Sequence, residues 1–191
     1  KLLTVLGLVG TEGQMDLPGV TLDPHHLEQM IETGSPTDVE LAVKYAPLMR
    51  NDHAFVYRVL ARTLKASSLP RVRAACLDSL RASARARDLV TIADTGIICQ
   101  CVTSDERNLR IAALKLLGDL PDDEQVINTL LDYLRLAETS RVDVEELGEA
   151  SRALAKHAAR NGKLRKDLAR YVLTQLPRSA EAGFGDSDRQ N

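Results

Sequence analysis

The chain contains an internal repeat, and this repeat limits its possible folds more than any other feature. The segment VRAACLDSL (72–80) aligns with LRIAALKLL (109–117) at an offset of 37 residues, which places Arg73 on Arg110. A second step of the same length continues the apolar pattern, although Leu147 then occupies the arginine position. A fixed period of this size is typical of stacked helical hairpins.

The repeated segment has the periodicity of a helix that packs on one side. Within 109–120 the apolar residues recur every three or four positions and form one stripe along a helix. The chain is 44% hydrophobic but only 3% aromatic, a mixture that suits helices packed by small and medium side chains. Because no strand-like alternation is present, the sequence predicts an all-α fold of about nine helices.

Helix starts are predicted from capping residues. Asp23 and Ser35 each precede a proline, which is tolerated in the first turn because its missing N–H has no intrahelical partner there. Leu69 precedes a third such proline. Further starts are predicted after Asn51, Asp88, Ser104, Asp122 (a capping box with Gln125) and Ser140, and Asn161-Gly162 is predicted to end one helix before another over 163–176.

The segment around Arg110 resembles the HEAT-repeat family. It combines an arginine in the first turn with Ala113, Leu117 and a closing Gly118. The resemblance covers about residues 23–176 and implies an α-solenoid of about four stacked antiparallel helical hairpins, a HEAT/ARM-like superhelix. Armadillo-like and other α-solenoids stay open as alternatives, because the motif is degenerate and HEAT periods usually run a little longer.

The resemblance also implies a structural role between repeats for Arg73 and Arg110. The aliphatic stem of such an arginine can cover apolar surface. Its guanidinium can then reach carbonyl groups or an acid of the neighbouring hairpin.

The second helices of a HEAT-like stack line its concave face, so the resemblance implies where a partner binds. At the 37-residue period, Asp78, Lys115 and Arg152 form a column on the solvent side of these helices. An ordinary solvated face is the alternative interpretation. The predicted partner-binding residues are this column and its neighbours Arg71, Arg81, Asn108 and Lys156.

Three regions are predicted along the chain. Residues 23–177 form the helical repeat domain. Residues 1–22 include LLTVLGLVG, which matches the end of a second helix, so we expect a truncated upstream repeat followed by a loop. Residues 178–191 are polar and aperiodic, which predicts a disordered tail.

Charge is banded along the chain although the net charge is only −2. Residues 50–90 carry nine basic and three acidic residues, between the acidic segments 1–49 and 91–149. A basic band can bind phosphates, which makes a nucleic-acid-binding solenoid the alternative function. The acidic neighbours and the absence of Trp for base stacking argue against it.

Neither the cysteines nor the histidines predict a metal site. Cys99 and Cys101 would point about 200° apart on a helix, so both thiolates cannot ligate one ion. Cys76 aligns with Ala113 and is predicted to fill the core. The histidines diverge from their neighbours or stand alone in the sequence: His25, His26, His53 and His157.

No catalytic motif, cofactor site or membrane-spanning run is predicted. The sequence lacks a nucleophile elbow and a P-loop, although a HEAT-type enzyme is not excluded. No apolar run reaches the roughly 20 residues needed to cross a bilayer. Three cysteines do not suit a disulfide scaffold and predict a reducing compartment, the cytoplasm or the nucleus.

These observations together predict a non-catalytic scaffold for protein–protein interaction. The chain is predicted to be a helical-repeat segment of a larger protein or complex that binds a protein partner. Nucleic-acid binding through residues 50–90 is the alternative.

Overall fold

The computed structural model describes residues 23–49, 52–139 and 143–168, and every regular element in these ranges is helical. The predicted all-α class is therefore confirmed. The α-helices are α1 Pro24–Thr33, α2 Pro36–Tyr45, α3 His53–Ala66, α4 Pro70–Ala82, α5 Ala84–Arg87, α6 Ile92–Cys101, α7 Arg107–Leu117, α8 Glu124–Thr139 and α9 Val144–Arg160, with a 3₁₀ turn at Ala46–Leu48 and a last helical segment over 162–168.

The chain forms two compact units, Lys1–Leu120 and Pro121–Asn191. The predicted repeat domain, residues 23–177, therefore spans both units. The predictions made for residues 1–22 and 178–191 lie outside the described residues.

In the first unit, consecutive helices pack in pairs: α1 with α2, α3 with α4, and α6 with α7. The second helices of these pairs also contact one another in chain order, α2 with α4 and α4 with α7. Among the first helices, α1 contacts α3. The second helices α2, α4 and α7 thus form one continuous row.

The core lies along this row, and it explains the repeated sequence pattern. Helix α4 and helix α7 each bury seven residues. The small side chains Ala75, Cys76 and Ala113 are buried, Leu77 and Leu114 are fully buried, and α4 and α7 contact each other. Burial raises the pKa of the Cys76 thiol to about 12, as expected for the predicted core position.

The predicted caps at the first two helices are confirmed. The Asp23 carboxylate accepts a hydrogen bond from the backbone N–H of His25 at 3.0 Å. Ser35 and Asp38 form a capping box. Gly34 makes the tight turn between α1 and α2 possible, because a Cβ at this position would lie 2.2 Å from the carbonyl oxygen of Met30.

Two predicted helix starts in the next hairpin are wrong. Helix α6 does not follow Asp88, because a capping box between Thr91 and Asp94 starts it at Ile92. Helix α7 does not follow Ser104, and it begins at Arg107 instead. The guanidinium of Arg110 donates to the carbonyl oxygens of Ser104 and Asp105, both at 2.8 Å, and so holds that turn outside the helix.

In the second unit, α8 packs against α9. The predicted cap at Asp122 is wrong, because Asp123 accepts the hydrogen bond from the backbone N–H of Gln125 at 2.8 Å. The predicted end of α9 at Asn161 is confirmed. Asn51 and Ser140 lie outside the described residues, and the caps found beside them are Asp52 and Asp143.

Candidate protein-interaction face

All five predicted partner-binding residues of the first unit lie on the row of second helices. We define the second-helix face as a set of eight polar residues on α2, α4, α7 and the turn after α7, made up of these predicted residues and the charged residues near them. Arg71, Arg81 and Asn108 are exposed, and Lys115 is half-buried. The second-helix face comprises Glu40, Lys44, Arg71, Asp78, Arg81, Asn108, Lys115 and Asp119.

Ion pairs join neighbouring second helices across this face. The Nε of Arg71 on α4 lies 3.6 Å from Glu40 on α2. The Nε of Arg81 lies 3.3 Å from Asp119, which follows α7, and Nη1 of Arg87 lies 3.8 Å from the same carboxylate. An exposed pair such as Arg71–Glu40 contributes only about 0–1 kcal/mol to stability.

Asp78 lies at the centre of the second-helix face. Its side chain is exposed, but neighbouring protein atoms displace part of its water and so raise the pKa of its carboxyl group, while Lys115, Arg81 and Lys44 act in the opposite direction through their charges. These three cations come from α7, α4 and α2 in turn. The structure therefore brings Asp78 and Lys115 together, as their 37-residue spacing predicts.

The remaining predicted partner-binding residues, Arg152 and Lys156, lie on α9 of the second unit, and both are exposed. Nη2 of Arg152 is 2.7 Å from Glu149, one turn earlier on the same helix. The guanidinium also lies over Gly148, 3.7 Å from where a Cβ would be.

The two predicted inter-repeat arginines make different contacts. Nη2 of Arg73 on α4 donates to the Sγ of Cys101 at 3.2 Å, and Cys101 ends a helix of the next hairpin. Arg110 instead donates to carbonyl groups of the turn inside its own hairpin. A role between hairpins stays a prediction for Arg110.

The basic band at residues 50–90 is neutralised by its neighbours in space. On the outer side of the first unit, Arg58 on α3 lies 3.9 Å from Glu28 on α1, and Arg62 lies 2.7 Å from Glu32. Lys65 lies 2.7 Å from Asp94 on α6. With the pairs of the second-helix face, six of the nine basic residues of the band contact acids from outside it.

A buried carboxylate joins the first helices α3 and α6, and sequence reasoning missed it. Asp94 accepts hydrogen bonds from the hydroxyl groups of Tyr57 and Thr91, and Lys65 lies beside it. Burial alone would raise the pKa of Asp94, but the hydrogen bonds from Lys65, Thr91 and Tyr57 outweigh it and lower the pKa to about 2. The signal was available, because Tyr57 and Asp94 are 37 residues apart, one repeat period.

A second missed cluster lies in the Pro121–Asn191 unit. The imidazole of His157 is fully buried, and its Nδ1 lies 2.8 Å from the Asp122 carboxylate. Arg160 contacts the same carboxylate through Nε at 3.2 Å. The adjacent pair Asp122-Asp123 was the signal, because only one of two neighbouring aspartates can cap α8.

The described residues do not assemble a reactive or metal-binding centre. Cys76, Cys99 and Cys101 are free and buried. Within the described ranges, no three side chains of His, Cys, Asp or Glu are grouped so that they could hold a metal ion. No helix among the described residues has the length and apolar character to cross a membrane.

Comparisons with known proteins add nothing to the all-α class that the fold defines. No family model, curated protein or solved structure matches it.

Proposed function

We propose that this chain is a non-catalytic scaffold for protein–protein interaction, built as a HEAT-like α-solenoid segment of a larger protein or complex. One observation carries the proposal. The second helices α2, α4 and α7 pack in chain order, and together they present polar side chains along a row. A continuous row of this kind suits an extended binding surface, as in other helical-repeat proteins.

The ion pairs of the first unit argue against the nucleic-acid alternative. Phosphate binding needs cations whose charge is available to replace counterions. Here six of the nine cations in the basic band contact acids of neighbouring elements. The three free, buried thiols support a reducing compartment for the chain, the cytoplasm or the nucleus.

A pull-down with quantitative mass spectrometry tests the scaffold proposal. The wild-type chain is compared with Lys115→Glu/Arg152→Glu, which reverses the charge at two positions of the predicted column. The matched control is Arg58→Glu/Arg62→Glu, which reverses two exposed cations on α3, the first helix of its hairpin. Circular dichroism and thermal melting confirm that all three chains are folded.

We expect at least one protein to be captured about tenfold less by Lys115→Glu/Arg152→Glu, and to be captured normally by the control. An identical set of captured proteins in all three samples would rule out Lys115 and Arg152 as binding residues. Loss in both variants alike would indicate a general charge effect and would also contradict the proposal.

A further inference from the structure

We propose that α1 is a detachable helix, which opens by itself while α2, α3 and the core of the first unit stay folded. The proposal goes beyond the scaffold function and does not depend on it. Its first support is burial. Leu27 is the one buried residue among the described residues of α1, whereas α3 buries seven residues and α6 buries five. Release of α1 therefore exposes little apolar surface to water.

The contact between α1 and α3 includes two ion pairs that are open to water. Nη2 of Arg58 lies 3.9 Å from Glu28, and the two side chains are 68% and 31% exposed. Nη2 of Arg62 lies 2.7 Å from Glu32, and these side chains are 52% and 56% exposed. Exposed ion pairs add little to stability and weaken further when salt screens the charges. The attachment of α1 to α3 is therefore weak and depends on salt.

The detachable part of the chain ends where α2 begins. Ser35 caps α2 through a capping box with Asp38, so the first turn of α2 is held without any contact from α1. Val43 of α2 is completely buried, and α2 packs against α4. A helix of only 10 residues, such as α1, is marginally stable by itself in water. We therefore expect α1 to unfold when it leaves, while α2 keeps its place.

Release of α1 separates two arginines of α3 from their acids. Arg58 also contacts its own helix, because its guanidinium lies 5.4 Å from the centroid of the Phe55 ring. Arg62 exchanges its carboxylate partner for water. Closed α1 thus neutralises part of the basic band on the outer side of the unit, and open α1 exposes two cations there.

Hydrogen–deuterium exchange of the folded chain, followed by mass spectrometry of its peptides, tests the proposal. Exchange rates of the amides in α1, α2 and α4 are corrected for their intrinsic rates and compared at low salt and at about 1 M salt. The variant Arg58→Gln/Arg62→Gln removes both ion pairs without changing the sequence of α1. Its matched control, Lys65→Gln, removes an ion-paired cation of the same helix whose acid, Asp94, lies on α6.

We expect the hydrogen-bonded amides of α1 to exchange at least about 100-fold faster than those of α4, and severalfold faster again at high salt. Arg58→Gln/Arg62→Gln should speed the exchange of α1 about fivefold at low salt, because two exposed ion pairs are lost, and should remove its salt dependence. Lys65→Gln should change the exchange of α1 by less than about twofold.

Three results would overturn the proposal. Equal protection of α1 and α2 would mean that the hairpin opens as a whole, and equal protection of α1 and α4 would mean that α1 opens only together with the core. Exchange of α1 that is unchanged by salt and by Arg58→Gln/Arg62→Gln, or that responds as strongly to Lys65→Gln, would mean that the two ion pairs do not hold α1.

Discussion

The first and second helices of the Lys1–Leu120 unit are joined to their neighbours by different kinds of contact. Second helices α4 and α7 contact each other and each bury apolar side chains, and Arg81 of α4 pairs with Asp119 after α7. First helices α3 and α6 meet at a buried carboxylate, Asp94, which receives Tyr57 and Lys65 from the other helix. The apolar contact tolerates changes at the surface above it, whereas the polar contact depends on every partner being present.

We therefore expect different roles for the row of second helices (α2, α4 and α7) and the first row, which consists of the first helices α1, α3 and α6. The row of second helices is held by its core, so its outer residues can exchange partners at low energetic cost. In the first row, Lys65 contacts a carboxylate that is only 5% exposed, which ties this cation to the fold. Binding is therefore expected on the second row and structural rigidity at the α3–α6 contact of the first.

The largest effect is expected from a truncation in the core of the second row. Leu77 on α4 is completely buried, and Leu77→Ala should lower the free energy of unfolding by about 3 kcal/mol through lost burial and a residual cavity. Urea denaturation followed by circular dichroism measures the change. Leu89→Ala is the control, because Leu89 is 42% exposed and should cost less than about 1 kcal/mol. Equal costs would mean that α4 is not the centre of the core.

A smaller loss is expected at the polar contact of the first row. Asp94→Asn removes the charge that Lys65, Thr91 and Tyr57 stabilise, and we expect a cost of about 2 kcal/mol at neutral pH. Because the folded-state pKa of Asp94 is about 2, below the ordinary value of 3.8, the carboxylate stabilises the fold above pH 3.8. This contribution is lost as the pH falls from 3.8 through about 2.

Stability curves across acidic pH measure both effects. The difference between wild type and Asp94→Asn should shrink as the pH falls through that window. Asp88→Asn changes an exposed aspartate of the same unit and should leave the curve nearly unchanged. A constant difference between wild type and Asp94→Asn at every pH would show that the charge of Asp94 is not what stabilises the contact.

The second row could be predicted from the sequence, and the first row could not, for a physical reason. Apolar burial recurs at the same position in each hairpin, so segments 72–80 and 109–117 reveal their helices without any knowledge of neighbours. The contact at Asp94 needs two helices to be placed side by side first. Tyr57 and Asp94 are one repeat period apart in the sequence, but this separation alone does not predict that their side chains form a hydrogen bond.

The candidate face was predictable to a similar extent. The 37-residue period correctly placed Asp78 beside Lys115. It did not predict that Arg71 contacts Glu40 or that Arg81 contacts Asp119, because these pairs lie at offsets set by the turns between helices. The same limit explains the errors at Ser104 and Asp122, whose expected local roles gave way to contacts of Arg110 and His157.

The smallest effect is expected on the surface of the second row. Arg81→Gln should cost less than about 0.5 kcal/mol, because Arg87 still lies 3.8 Å from the Asp119 carboxylate. Arg87→Gln should cost more, about 1 kcal/mol, because Arg87 is only 23% exposed and its Nη1 also donates to the Arg81 carbonyl oxygen at 3.4 Å. The double variant removes both arginines from the Asp119 carboxylate, which is 19% exposed. Its loss of unfolding free energy should therefore exceed the sum of the two single losses. A double-mutant cycle in urea measures this coupling. Strict additivity would mean that the arginines do not share Asp119, and a cost above about 2 kcal/mol for Arg81→Gln alone would make this surface structural like the first row.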